Sequence, residues 1–135
     1  MIQRIQSIYL ALAIFFTLSV VLTPVYDRAM EDPQQWIGYG FAISLFISML
    51  LNVFSIGQYQ NRKKQISWVK RAMIFQVIGI GFSVAVLFSL GGIGTYLWKT
   101  AIGCALIIFA LLFQFLALRA IDKDEKLVRS IDRIR

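Results

Sequence analysis

The chain lacks histidine altogether, and its 135 residues include one cysteine and two prolines. A disulfide within the chain needs two cysteines, so none can form. Catalytic units of the Ser-His-Asp or Cys-His kind are excluded as well, because both need a histidine. Charged residues make up 16% of the chain, well below the ~25% that is usual in soluble domains. We therefore predict no catalytic residue, no cofactor and no metal site.

Hydrophobic residues are in excess, at 59%, where soluble domains have about 45–50%. They concentrate in four segments of about 20 residues, the length that a helix needs to cross a membrane. Those segments are 5–23, 36–57, 72–90 and 96–118. A backbone inside lipid must satisfy its own hydrogen bonds, so the segments should be helical. The sequence predicts an all-α integral membrane protein with four antiparallel transmembrane helices.

The segments between these helices are expected to be connectors. Pro24 should end the first helix, because proline disfavours a helical residue before it. The predicted connectors are 25–35, 58–71 and 91–95, the last short enough for a tight hairpin. Residues 1–118 would form the membrane domain, and 119–135 a charged amphipathic tail.

The basic residues divide unequally between the two sides of such a membrane protein. Twelve lie before the first helix, between the second and third, or in the tail, whereas Arg28 and Lys99 lie on the other side. Lysine and arginine near membrane helices favour the cytoplasmic side. We therefore predict that both termini lie in the cytoplasm.

Both ends of the sequence resemble a known family. The opening MIQRIQSIYL (1–10) and the closing groups RAI (119–121), KDE (123–125), LVRS (127–130) and DRIR (132–135) are similar to the ends of proteins catalogued as domain of unknown function 4293. The resemblance implies a small four-helix protein of the inner membrane, chiefly from Bacteroidota. It implies no activity, substrate or catalytic residue.

Polar residues recur on one face of the second helix, where Ser44, Ser48, Asn52 and Ser55 follow one another at intervals of four, four and three. Together with Gln76 and Gln114 on the third and fourth helices, we predict an intramembrane polar face of Ser44, Ser48, Asn52, Gln76 and Gln114. The amides of Asn52, Gln76 and Gln114 are expected to hydrogen-bond with one another. The preferred interpretation is helix packing, and the alternatives are a small polar cavity or a docking face for another protein.

Helix three also carries two pairs of small residues four positions apart, Gly79 with Ser83 and Gly81 with Ala85. Small residues at this interval let membrane helices approach closely. Both pairs are consistent with packing faces.

A basic cluster precedes the third helix. It consists of Arg62, Lys63, Lys64, Lys70 and Arg71. Basic residues beside membrane helices attract anionic lipid headgroups, so we predict membrane lipids as partners here. Contact with an acidic protein or with ribosomal RNA is the alternative, but orientation and lipid attraction explain the cluster without nucleic acid.

The tail has the pattern of an amphipathic helix. Its tail stripe, the apolar residues Leu127, Val128, Ile131 and Ile134, lies on one helical face. The pairs Asp122–Lys126 and Glu125–Arg129 add favourable contacts one turn apart. No helix breaker separates the fourth membrane helix from the tail, so one long helix is expected. The tail stripe needs a surface, which is the inner leaflet, a loop of the chain itself or, by a small preference, a protein partner.

These patterns favour a non-enzymatic accessory or structural subunit of a membrane protein complex. The alternative is a small transporter or lipid-handling protein with a polar intramembrane cavity. The predicted helix cores lack Asp, Glu and His, and their only basic residue is Lys99 near one end. This lack counts against a proton-coupled transporter, which usually needs a buried ionisable group.

Overall fold

The computed structural model describes residues 2–31, 34–89 and 98–134, with residues 2–4 described by their backbone alone. All regular structure in these ranges is helical, so the chain is all-α as predicted. The five helices are α1 (Ile2–Val21), α2 (Pro24–Glu31), α3 (Gln35–Gly57), α4 (Arg62–Ser89) and α5 (Trp98–Ile134). Of these, α3, α4 and α5 are long and apolar enough to cross a membrane. The pair α1 and α2 qualifies as a fourth span if the two helices, bent by 54° at their junction, are taken together.

The first membrane segment ends differently from the prediction. Helix α1 ends at Val21 rather than at residue 23, and Pro24 begins a further helix instead of merely ending one. Proline is well suited to a first helical position, because that residue has no intrahelical partner for its N–H. The predicted connector 25–35 is therefore wrong over most of its length. Two side chains of α2, Val25 and Ala29, are buried.

Close approach of α2 to the bundle depends on glycine. A Cβ atom added at Gly38 of α3 would collide with the backbone carbonyl oxygen of Ala29. At Gly103 of α5, an added Cβ would lie 2.5 Å from Cγ2 of Val25. Because glycine has no side chain at these two positions, α2 can pack closely against both α3 and α5.

Helix α4 begins ten residues before the predicted start at residue 72. Its first residue is Arg62, so the predicted connector 58–71 is reduced to 58–61. Asn61 precedes the helix, and its Oδ1 accepts a hydrogen bond of 3.3 Å from the backbone N–H of Lys64. Asparagine is a favoured N-cap residue for this reason. The basic cluster consequently lies on a helix and not in a loop.

Helix α5 contains 37 residues, which at a rise of about 1.5 Å per residue is far more than a bilayer core requires. It continues without interruption past residue 118, where the membrane domain was predicted to end. The continuous helix expected from the absence of a breaker is thus observed. The predicted connector 91–95, the end of helix three at residue 90 and the start of helix four at residue 96 lie outside the described residues.

Helices α3 and α4 run in opposite directions. Ser48 and Ser55 of α3 contact α4 in reverse order, at Gln76 and Gln65.

Helix α5 packs at regular intervals along its length, because its buried positions succeed each other by three and four residues in alternation. They are Thr100, Gly103, Ile107, Ala110, Gln114, Ala117, Ile121 and Asp124. An alternation of three and four is typical of left-handed helix bundles.

Among the residues that the structure describes, buried apolar side chains form two clusters. One includes Val20, Val25, Phe41, Val86 and Ile107 and lies at the α2 end of the bundle. The other is formed by Leu10, Val69, Ala117 and Ile121 near the start of α1 and α4. Between these clusters the buried positions are small or polar.

Candidate functional site

The polar centre of the bundle is a layer of three fully buried side chains, Ser48 of α3, Gln76 of α4 and Gln114 of α5. The Ser48 hydroxyl lies 2.7 Å from Oε1 of Gln76 and 3.0 Å from the carbonyl oxygen of Ala72. Having one proton, it donates to one of these acceptors at a time. It also accepts a hydrogen bond of 3.1 Å from Nε2 of Gln114. Ser48 therefore connects α3 to both α4 and α5.

A second contact of this polar layer joins α4 directly to α5. Nε2 of Gln76 donates to the backbone carbonyl oxygen of Ile107 at 3.4 Å. Hydrogen bonds between membrane helices contribute about 0.6 kcal/mol each on average. The layer thus holds three helices in one register while it separates the two apolar clusters.

Asn52 lies one turn beyond Ser48 on α3 and is also fully buried. Neither its Nδ2 nor its Oδ1 has a hydrogen-bond partner within the described part of the chain, and the same is true of Oε1 in Gln65 and Gln114. The expected mutual hydrogen bonding of the three amides is therefore wrong for Asn52. Gln76 and Gln114 do share a network, but they meet through the hydroxyl of Ser48.

The other serines of the polar face are buried too, with different partners. The hydroxyl of Ser44 donates to the carbonyl oxygen of Phe41 in its own helix at 2.8 Å. The hydroxyl of Ser55 donates to the carbonyl oxygen of Gln65 at 3.4 Å and so reaches α4. Ser44, Ser48, Asn52 and Ser55 are therefore all buried inside the bundle.

The two pairs of small residues on α4 have opposite surroundings. Gly79 and Ser83 are buried, and a Cβ at Gly79 would lie 2.8 Å from Cδ2 of Leu45. Gly81 and Ala85 are exposed, and nothing lies within 4 Å of a Cβ at Gly81. Within the described residues, the first pair packs against another helix and the second does not.

The end of the bundle that carries the basic residues is held together by polar contacts. Nε of Arg62, at the start of α4, lies 3.1 Å from Oδ2 of Asp124 on α5. This distance makes the contact an ion pair, but the Oδ2 atom of Asp124 accepts no hydrogen bond from the described residues. The amide of Gln6 on α1 donates to the carbonyl oxygen of Ala120 at 3.3 Å. The starts of α1 and α4 therefore lie beside residues 120–124 of α5.

This arrangement divides the basic cluster, which is predicted to attract lipid headgroups, into two parts. Lys63, Lys64, Lys70 and Arg71 are exposed on α4. The guanidinium of Arg71 lies over the ring of Trp68, 5.1 Å from its centroid. The side chain of Arg62 is 25% exposed and paired with a carboxylate. Arg62 thus contributes to bundle packing, whereas the other four present their charge outward.

The tail stripe extends beyond the last buried position of α5. Leu127, Val128, Ile131 and Ile134 are all exposed, Ile131 by 61% and Ile134 by 86%. Both predicted ion pairs of the tail are confirmed, Lys126 with Asp122 and Arg129 with Glu125, each at 2.8 Å. These pairs stabilise the helix that carries the tail stripe.

Sequence reasoning missed two residues that join the helices, Gln6 and Asp124. A signal for Asp124 was present, because it continues the alternating intervals of Gln114, Ala117 and Ile121. Gln6 has a similar but weaker signal, because it lies four residues before the buried Leu10 and so on the same face of α1.

Two grooves on the protein surface lie away from the polar layer. A groove of about 330 Å³ runs beside α1, α2 and α3 and is mostly apolar, with Thr17, Leu18, Tyr26 and Phe46 among its walls. A groove of about 850 Å³ lies between α1 and the second half of α5. Neither includes any of the five residues of the predicted intramembrane polar face.

Comparison with known proteins identifies the family. The family model described as Domain of unknown function (DUF4293) matches residues 2–134. The chain belongs to the DUF4293 family. Searches of curated proteins and of solved structures found no match. The description of this family assigns no activity to the DUF4293 chain. The features of the structure that bear on function are the polar layer, the basic end of the bundle and the tail stripe.

Proposed function

We propose that this DUF4293 chain is an integral protein of a bacterial inner membrane, with four antiparallel spans and both termini in the cytoplasm. The bent pair α1 and α2 would be the first span, and α3, α4 and α5 the others. The contacts of Gln6 with Ala120 and of Arg62 with Asp124 support this orientation. They bring the basic segments of the sequence to one end of the bundle, and such segments favour the cytoplasmic side.

The proposed role is that of a non-enzymatic accessory or structural subunit in a larger membrane protein complex. The observation that carries this proposal is the exposure of the tail stripe on a helix that continues directly from a membrane-spanning segment. A line of exposed apolar side chains on one face of a helix is a common docking element for another protein. The mixed charges around the stripe suit a protein surface better than an anionic membrane surface, which favours basic helices.

The tail stripe is held in a defined position by the bundle. Ile121 and Asp124, the last two buried positions of α5, pack at the start of α1 and α4. From Asp124 the helix continues without a break, so the orientation of Leu127 and Ile131 relative to the bundle is fixed. A surface that is ordered before binding loses less conformational entropy on association.

The observations give less support to a transporter. Such a role needs a cavity lined by polar groups, but Ser48, Gln76 and Gln114 are fully buried and hydrogen-bonded with one another. Their arrangement suits a structural layer between helices. An enzymatic role gains no support from the polar layer, because its amides and its hydroxyl are hydrogen-bonded with one another.

Affinity purification of the full-length chain in mild detergent, followed by quantitative mass spectrometry, tests the proposal. The wild type should retain one membrane protein in a constant molar ratio. Replacing Val128 and Ile131 by aspartate should release that protein, whereas Arg133→Asp, which changes the net charge by the same amount, should retain it. A chain that purifies alone, or a partner that survives loss of the tail stripe, would contradict the docking role. Purification as a lone monomer or homodimer with bound lipid would favour the transporter alternative.

A further inference from the structure

The groove between α1 and α5 combines an apolar wall with basic groups. Its volume is about 850 Å³, within the range of ~300–1,000 Å³ that is typical of small-molecule sites. Ile5 and Tyr9 of α1 and Leu116 of α5 line its apolar part, and Arg119 and Lys123 line its basic part. Ile5 and Leu116 are both exposed, so their apolar surfaces are available to a ligand.

The charges around this α1–α5 groove are only partly neutralised. Asp122 is paired with Lys126 at 2.8 Å, and Asp124 is occupied by Arg62 at 3.1 Å. Arg119 and Lys123 have no carboxylate partner among the described residues, and both are exposed. The groove therefore presents two positive groups that remain available to an anion.

Arg119 is also oriented by its surroundings. Its guanidinium carbon lies 5.9 Å from the ring centroid of Phe115, one turn earlier on α5. An arginine resting on an aromatic face keeps its N–H groups available at the edge of the guanidinium plane, where they bind phosphate oxygens well.

The position of the groove along α5 selects the kind of anion. The apolar run of α5 ends at Leu118, and charged residues begin at Arg119. The proposed membrane boundary consequently crosses the groove, with Leu116 on the hydrocarbon side and Lys123 on the aqueous side. A ligand that fits this gradient has an anionic head and an apolar body.

We propose that the α1–α5 groove binds one anionic phospholipid. Arg119 and Lys123 hold its phosphate, and the upper parts of its acyl chains lie against Ile5, Tyr9 and Leu116. This site is distinct from the exposed basic row of α4, which does not line the groove. The inference rests on the proposed membrane location, but it is independent of any protein partner of the tail stripe.

Native mass spectrometry of the full-length chain in detergent tests the site, with phosphatidylglycerol and phosphatidylcholine of identical acyl chains as probes. Phosphatidylglycerol should bind at least about tenfold more tightly, because each nearby basic residue contributes about fivefold at a membrane surface. The double variant Arg119→Gln with Lys123→Gln should reduce this preference to about that of the neutral lipid. The matched control, Arg28→Gln with Lys99→Gln, removes two exposed basic residues at the opposite end of the bundle and should preserve it.

Two further results decide the proposal. Restoring one charge, with Arg119→Lys in place of Arg119→Gln, should recover about fivefold selectivity. Equal binding of the two lipids by the wild type would overturn the inference, and so would equal losses in the groove variant and the Arg28/Lys99 control. Insertion of the chain into zwitterionic vesicles, measured separately by flotation, distinguishes failure of this site from failure of the membrane assignment.

Discussion

From Trp98 to Asp124, one face of α5 is buried against neighbouring helices, whereas from Leu127 to Ile134 all side chains are exposed. The spacing is the same in both halves, since Val128 and Ile131 follow Asp124 at intervals of four and three. The surroundings differ, because α4 begins beside Asp124 and does not accompany the last turns of α5. Burial in this helix is therefore decided by the reach of its neighbours and not by the pattern alone.

The two halves also differ in what occupies the shared face. The buried face consists mostly of small or polar residues, among them Gly103, Ala110 and Gln114, with Ile107 and Ile121 as its large aliphatic members, while the tail stripe of the outer half is entirely large and aliphatic. Inside a membrane, helix association depends on close approach and hydrogen bonding, because lipid is as apolar as leucine. In water, an apolar stripe gains free energy by being covered. The composition of each half thus matches the kind of association proposed for it.

The largest expected difference comes from one substitution made at matched positions in the two halves. Ile121→Ala, at a fully buried site, should lower the free energy of unfolding by about 2–5 kcal/mol. Ile131→Ala, at an exposed site, should change it by less than about 0.5 kcal/mol. Unfolding of both variants in mixed detergent micelles measures the difference. Equal losses of unfolding free energy would mean that the last turns of α5 are packed as tightly as its buried half.

A smaller effect is expected from the polar layer within the buried half. Gln114→Leu removes the hydrogen bond to Ser48 and leaves the hydroxyl with one contact fewer, so stability should fall by about 1 kcal/mol. Asn52→Leu provides the matched control, because Asn52 has no hydrogen bond in the structure to lose. The same unfolding assay should find the control variant as stable as the wild type or more so. A larger loss for Asn52→Leu than for Gln114→Leu would refute the assignment of Gln114 to the network.

The ion pair at the junction of the two halves should contribute somewhat less. Asp124, whose side chain is 11% exposed, pairs with Arg62. A double-mutant cycle with Asp124→Asn and Arg62→Gln should give a coupling free energy of up to about 1 kcal/mol, at the upper end for a partly exposed pair. The coupling should persist at high salt, because partly buried pairs are screened less. A coupling free energy of zero at low salt would show that this ion pair does not hold the tail in place.

The smallest effects are expected from the exposed pairs of the outer half. Lys126→Gln and Arg129→Gln each break a contact one turn long, and each should cost about 0.3–0.5 kcal/mol of helix stability. Amide hydrogen exchange over residues 122–134 is sensitive enough to measure this. The change should disappear at high salt, and a change that is independent of salt would indicate a role other than charge pairing.

Much of the fold follows from the sequence. The lengths of the apolar runs predict helices that suit a membrane, and the polar tail predicts an amphipathic helix with two ion pairs. Hydropathy marks where a helix would leave the membrane, but it does not mark where the helix ends. For that reason α4 begins at Arg62, before the apolar run, and α5 continues beyond Leu118. Pro24 predicts the end of a helix, although the same residue is equally suited to begin one.

The partners of the polar residues were harder to predict. Ser48 and Asn52 share a face of α3, and sequence spacing gives no reason to prefer one over the other. Their difference comes from the relative height of α3 and α5, which places Gln114 within reach of Ser48. That height results from the packing of whole helices and is not encoded in any single segment.

Site-specific photo-crosslinking in intact cells tests the central claim, that the tail stripe docks a protein partner. A photoreactive amino acid is placed at Ile131 on the tail stripe or, as a control, at Arg133 on the same stretch of helix. The account predicts one discrete protein adduct from position 131 and little or none from position 133. Lipid adducts alone, or the same set of adducts from both positions, would contradict it.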